Sequence, residues 1–273
     1  MKNILVPIDF SDASFNAVSH AAFLANAFDA GLLLVHVYSG TSAIDDRPDT
    51  KVYDSYEELE VANERLLKSE MEKITEKFTV KIKTLLKKGN AVSVINEVAE
   101  ENDSDIIVMG MKGKGESNSI FGSTTTSMIN KTSIPLLVIP KNASYQTINS
   151  ITLASDFNDE KLLSHFSILE KLMTKFDPFI QVLNVQKRDS NLTAEMIAGK
   201  MSTGLLWDKY NHSFNVIEED NIEEGINKFL EKRPSDLLIM VARKRNFITQ
   251  FFETSHTKKM IHQTKIPLLI LHE

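Results

Sequence analysis

The chain predicts an α/β fold of two tandem doubly wound units, each with a five-stranded, mostly parallel sheet and helices on both faces. Three observations carry that expectation. Apolar runs of strand length alternate with stretches of helical periodicity, the sequence form of a parallel sheet with crossover helices. The same order of runs starts again near Ile148. Matched segments then recur in order: Ile4-Leu5-Val6-Pro7-Ile8-Asp9-Phe10 is answered by Ile151-Thr152-Leu153-Ala154-Ser155-Asp156-Phe157, Ser104-Asp105-Ile106-Ile107-Val108-Met109 by Ser235-Asp236-Leu237-Leu238-Ile239-Met240, and Ile134-Pro135-Leu136-Leu137-Val138 by Ile266-Pro267-Leu268-Leu269-Ile270.

In the first unit, residues 4–8 read as a strand. Ser11 or Asp12 can cap the next helix, in which Ala17, Val18, Ala21, Leu24, Ala25 and Phe28 keep three-to-four spacing. Gly31 is placed to end that helix. The unbroken apolar run at 32–37 predicts a fully buried strand, and the Asp, Thr and Ser content of 39–55 predicts a loop. A charged amphipathic helix follows over about 56–78 and a strand over 80–86. Asn90 caps a helix carrying Val94, Ile95, Val98 and Ala99, and a strand covers 106–109. A helix over 123–131 and a strand over 135–139 close the unit. Residues 141–147 lack apolar periodicity and are the expected linker, dividing the chain into domains 1–142 and 147–273.

Composition narrows the function. Among 273 residues, 42% are hydrophobic and 25% charged, as in an ordinary globular protein. No apolar run reaches the length of a membrane helix and the N-terminus lacks a signal-peptide pattern, so a cytoplasmic protein without membrane contact is expected. The absence of cysteine excludes disulfides, thiolate metal sites and a cysteine nucleophile. A formal charge of −6 offers no field for a polyanion, so nucleic acid is not an expected partner.

The chemistry concentrates in one loop. Gly110, Gly113, Gly115 and Gly122 are four of the ten glycines and lie between strand 106–109 and the hydroxyl-rich start Ser123-Thr124-Thr125. Strand, glycine loop and helix N-terminus together make a phosphate cradle: glycine lets the backbone approach an anion, and the helix start offers N–H groups. The alternative is a plain flexible turn. In a doubly wound sheet, ligands lie beyond the carboxyl ends of the strands, so Asp9 and the loop after Met109 should face one crevice. A carboxylate repels phosphate but accepts hydrogen bonds from a ribose or an adenine amine, which puts Asp9 at the nucleoside end; an Asx turn before the helix is its structural alternative. Lys112 and Lys114 are candidate countercharges, with solvated lysines as the alternative.

Other features point to structure. His256 and His262 are six apart, not the four that share a helical face, and with His212 and His272 they form no recognisable ligand set, so no metal is expected. Arg243-Lys244-Arg245 reads as a solvated rim, and Phe247 and Phe251 as packing. Trp207 lies in an expected helical segment, 194–210, as a core or interface residue.

The opening Ile4-Leu5-Val6-Pro7-Ile8-Asp9-Phe10-Ser11, the Leu34-Val35-His36-Val37 strand, the glycine loop and the closing Ile134-Pro135-Leu136-Leu137-Val138-Ile139-Pro140 resemble the universal stress proteins in their tandem form. The resemblance implies a Rossmann-like, adenine nucleotide alpha hydrolase-like fold and a stress-response role. It also implies an adenine nucleotide, ATP first and with magnesium as an optional companion. Pro7, Ile8 and Val37 would then line the base pocket, and Gly110, Gly113, Gly122, Ser123, Thr124 and Thr125 would meet the phosphates.

Nucleotide-binding members space their signature as Gly, two residues, Gly, nine residues, Gly-Ser or Gly-Thr. Here only eight residues separate Gly113 from Gly122, and in the second half Val241, Lys244 and Thr254 replace the glycines. One nucleotide site, in the first half, is therefore expected. The family's pairing through closing strands implies an intramolecular pseudo-dimer and leaves room for a homodimer. Phosphoryl transfer needs a metal and a group that orients the nucleophile, and no such set stands out, so a binding protein is expected rather than an enzyme. A scaffold of the same family without nucleotide, and an α/β ATP hydrolase or ligase, remain as alternatives.

Overall fold

The computed structural model describes residues 1–38, 56–111, 122–155, 166–187, 207–242 and 266–272. The first half runs β1 (Asn3–Pro7), α1 (Asp12–Phe28), β2 (Gly31–Tyr38), α2 (Tyr56–Thr75), β3 (Lys81–Lys88), α3 (Ala91–Glu101), β4 (Ile106–Gly110), α4 (Ser123–Lys131) and β5 (Leu136–Ile139). The second runs β6 (Ser150–Ala154), α5 (Phe166–Phe176), β7 (Phe179–Gln186), β8 (His212–Glu218), α6 (Ile222–Lys232), β9 (Leu237–Ala242) and β10 (Leu268–His272).

These strands form one sheet of ten, in the order β3-β2-β1-β4-β5-β10-β9-β6-β7-β8, joined through the closing strands β5 and β10 as the family resemblance implies. Every pairing is parallel except β5 with β10, which is antiparallel with Leu268 opposite Val138, Leu269 opposite Leu137 and Ile270 opposite Leu136. Leu137 and Leu269 are equivalent in the repeat and face each other, so the pseudo-twofold passes between them. Buried side chains lie on both faces: Ile4, Val6, Leu32 and Leu34 with α1 and α2 on one, Leu5, Val35, Ile107 and Met109 with α3 and α4 on the other.

The repeat extends to individual hydrogen bonds. Asp105 Oδ2 accepts the N–H groups of Lys2 and Asn3 at 2.5 and 3.1 Å, and Asp236 Oδ2 accepts those of Asn149 and Ser150 at 2.8 and 3.0 Å. Each carboxylate ties the start of its half's first strand to the strand beside it. Asp105 also takes Lys171 Nζ from α5 at 2.7 Å, an ion pair joining the halves. Burial raises the Asp105 pKa, but the Lys171 and backbone hydrogen bonds outweigh it and hold the carboxyl below its ordinary value.

The structure corrects two local expectations and shows how the expected linker is held. Helix α1 ends at Asp29, left-handed at φ 51° and ψ 44°, with its N–H on the Ala25 carbonyl; Gly31 opens β2 instead. An Asp tolerates this conformation because its short polar side chain bonds locally. Strand β2 is only partly buried: Leu32, Leu34 and Val35 are covered while His36, Val37 and Tyr38 are half-exposed where the strand reaches the open end of the sheet. The expected linker is pinned to α1: Asn16 Nδ2 donates to the carbonyls of Pro140 and Ala143, His20 Nε2 to that of Ala143, and Tyr145 packs near Phe23 and Phe78. The carbonyls of Pro140 and Ala143 thus find side-chain donors in α1.

Trp207 is 1% exposed and belongs to the core. His212 Nδ1 meets the Tyr210 carbonyl at 3.0 Å and His272 Nε2 the Ile129 carbonyl at 2.7 Å, so both rings serve backbone carbonyls. No described helix is long and apolar enough to cross a membrane.

Candidate functional site

Ladder order puts the carboxyl ends of β1, β2 and β4 side by side, so the segments leaving them converge at one edge of the sheet. They enclose a cleft of about 440 Å³. A crevice between the halves, lined by His20, Leu137, Leu172 and Leu269, has only about 40 Å³, space for a few waters.

Of the expected site residues, Pro7, Ile8, Asp9, Val37, Met109, Gly110, Gly122, Ser123, Thr124 and Thr125 all line the cleft. Gly113 lies outside the described residues, as do Lys112, Lys114, the 39–55 loop, residues 243–245, His256 and His262. The structure adds Ser11, Ala13, Ser14, Val35, Ala91 and Ile95. Val35 could have been found from strand alternation, since it shares a face with Val37. The others needed the fold, because α1 and α3 start at this edge only through the strand order.

The floor is set by a close packing of α1 on β4. A Cβ on Gly110 would stand 2.7 Å from the Ala13 carbonyl oxygen, so glycine here is demanded by the neighbouring helix. Thr125, 3% exposed, donates its hydroxyl to the Gly110 carbonyl at 3.0 Å, tying α4 to the strand and spending its proton on the backbone.

The turn from β1 into α1 is sharp. Phe10 is left-handed at φ 59°, unusual for a bulky residue, and its ring lies 4.5 Å from that of His36. Asp9 Oδ1 accepts the Ser11 N–H at 3.0 Å and the Ser11 hydroxyl at 2.6 Å. The Asx-turn alternative for Asp9 is thus realised while its half-buried side chain still lines the cleft. Ser11 in turn caps α1, accepting the Ser14 N–H, while Ser14 Oγ accepts the Ser11 N–H.

The lining is mixed in character. Pro7, Ile8, Val35, Val37, Ala91, Ile95 and Met109 are its apolar part. Beside them α4 begins at Gly122, extended at φ −63° and ψ 158°, with no side-chain hydrogen bond to its first turn. Helices α1, α3 and α6 are capped by Ser11, Asn90 and Asn221. Helix α4 alone among these four presents an uncapped N-terminus, and it does so into the cleft. Such an end carries partial positive charge and unmet donors.

Among the described residues no three His, Asp or Glu side chains gather to hold a metal ion.

The model of the universal stress protein family matches residues 1–140 and 185–272. Universal stress protein MJ0531 of Methanocaldococcus jannaschii is 34% identical over 143 residues, 51% of this chain and 82% of that protein. Universal stress protein Slr1230 of Synechocystis sp. is 23% identical over 293 residues, 98% of this chain and 99% of that protein. The solved structure of a universal stress protein from Archaeoglobus fulgidus superimposes with a TM-score of 0.73 at 15% identity, covering 99% of this chain and 96% of that one, and shares the fold. The chain belongs to the universal stress protein family.

Proposed function

We infer that this stress-response protein binds an adenine nucleotide, ATP first, in the cleft of its first half, and that occupancy regulates contact with a protein partner. The observation that carries this reading is the mixed lining of the cleft: apolar side chains to meet a base, the Asp9 carboxylate for ribose or the adenine amine, and the uncapped start of α4 for phosphates. Pro7, Ile8 and Val37 would flank the base, Asp9 the nucleoside, and Gly110, Gly122, Ser123 and Thr124 the phosphate end. Magnesium, where present, would arrive on the phosphates. Residues 1–142 and 147–273 are read as tandem domains of which only the first keeps the glycine cradle.

Isothermal titration of dialysed full-length protein with ATP tests this. Saturable binding is expected, and Gly122→Asp should weaken it at least about tenfold, since a carboxylate at the cap occupies the donors a phosphate needs. The same substitution should leave folding stability unchanged or raise it by a few tenths of a kcal/mol. Absence of binding by the native chain would overturn the reading in favour of a nucleotide-free scaffold, which the eight-residue spacing between Gly113 and Gly122 favours.

A further inference from the structure

We propose that the outer edge of β8 is a self-pairing surface, through which two copies of the chain form an antiparallel dimer with Asn215 opposite Asn215. This is independent of the nucleotide site. Since β5 and β10 pair with each other, among the described residues the ten-stranded sheet ends at β3 on one side and β8 on the other.

The repeat makes these two edges a controlled comparison. Ile82 pairs with Leu32 as His212 pairs with the equivalent Ile180, so β3 and β8 occupy the same place in their halves. Strand β3 carries Lys81, Lys83, Lys87 and Lys88 in eight residues, the charge that natural edges use to repel added strands. Strand β8 carries no lysine and no proline in seven residues: Lys83, Lys87 and Lys88 are answered by Ser213, Ile217 and Glu218. Val216 on β8 is 40% exposed.

Ladder phase and side-chain chemistry select one register. Ile180 N–H reaches the Asn211 carbonyl and Glu219 N–H the Gln186 carbonyl, so the backbone groups of Ser213, Asn215 and Ile217 turn toward β7 and those of the even-numbered residues turn outward. Antiparallel pairing about Asn215 therefore makes Phe214 with Val216, and His212 with Glu218, the hydrogen-bonded pairs. Phe214 of each copy covers the exposed Val216 of the other, an aromatic and β-branched pair. Each His212 ring stands across from a Glu218 carboxylate, and no like charges oppose each other. A parallel arrangement would set Glu218 beside Glu218.

Sedimentation equilibrium of the full-length protein should show a dimer. Val216→Lys, at an exposed position, should raise the dimer dissociation constant at least about tenfold, because the pair occurs twice. His212→Glu should weaken the dimer and the double variant His212→Glu, Glu218→His should restore it. The chain has no cysteine, so Asn215→Cys gives a clean cross-linking test. Non-hydrogen-bonded partners lie about 4.5 Å apart at Cα, within disulfide reach. Oxidised Asn215→Cys should run as a covalent dimer and Ser213→Cys should not. A monomer at the highest soluble concentration, a dimer indifferent to Val216→Lys, or cross-linking through Ser213→Cys in place of Asn215→Cys would each overturn the proposal.

Discussion

Asn184 stands in the second half where His36 stands in the first, and both side chains donate to the backbone carbonyl just past the first strand of their half. His36 Nδ1 reaches the Ile8 carbonyl at 2.7 Å and Asn184 Nδ2 the Ser155 carbonyl at 2.8 Å. A carbonyl only accepts, so His36 carries its proton on Nδ1. Ile8 N–H bonds the Val35 carbonyl as Ser155 N–H bonds that of Leu183, which makes the two corners equivalent.

His36→Asn should therefore be tolerated, within about 1 kcal/mol, because asparagine serves the same carbonyl in the other half. His36→Leu removes the donor beside Ile8, which is 3% exposed, and should cost about 1–3 kcal/mol. Urea denaturation of the two variants measures the contrast. Equal losses would mean that the ring contact with Phe10 holds the corner instead.

Gly110→Ala should destabilise the protein by about 1–3 kcal/mol by overpacking. The added carbon meets backbone at Ala13, which cannot give way without moving the start of α1 and the Ser11 cap. Chemical denaturation at constant m-value reads the loss; no change would mean that α1 shifts at little cost.

His20 gives the protein an acid sensitivity near neutrality. Burial lowers its pKa from 6.5 and outweighs the opposing hydrogen bond to the Ala143 carbonyl, so the folded ring stays neutral where the unfolded ring protonates. Its stabilisation is complete above pH 6.5 and is lost as pH falls toward the lower folded value. His20→Gln keeps a donor for the Ala143 carbonyl and should flatten the pH dependence of the melting temperature just below pH 6.5. An unchanged slope would assign that limb to another group.

Asp105 acts lower on the scale. Its folded pKa lies below 3.8, so its contribution is present above pH 3.8 and disappears as pH falls through the folded value. Asp105→Asn should lower stability at pH 7, by weakening the bonds to Lys171, Lys2 and Asn3, and the gap from the native chain should close in strong acid. A gap independent of pH would show that the carboxylate charge is not what holds the halves together.

Much of this was legible before any coordinates. Local signals marked α4 at its observed bounds, Asn90 as a cap, and Ser11 or Asp12 as the cap of α1, of which Ser11 serves, because cap chemistry is local. The three matched segments anticipated the repeat down to Asp105 and Asp236. One error had a cause that a glycine signal hides: Asp29 adopts the left-handed cap that Gly31 was expected to supply. Gly110 lines the cleft as expected, and the structure adds a constraint from Ala13, a residue 97 positions away in sequence.

The sequence by itself determined the strands and helices of the first half, that three of its strands recur in order in the second, and that only the first copy keeps glycines at its fourth strand's end. Tertiary structure alone decided the antiparallel register that sets Leu137 opposite Leu269, and that Ser11, Ser14, Ala91 and Ile95 join Asp9 and Ser123 around one cleft. The reason is physical: periodicity and capping are set by residues within one helical turn of each other, while a cleft exists only where strand order brings distant segments to the same edge.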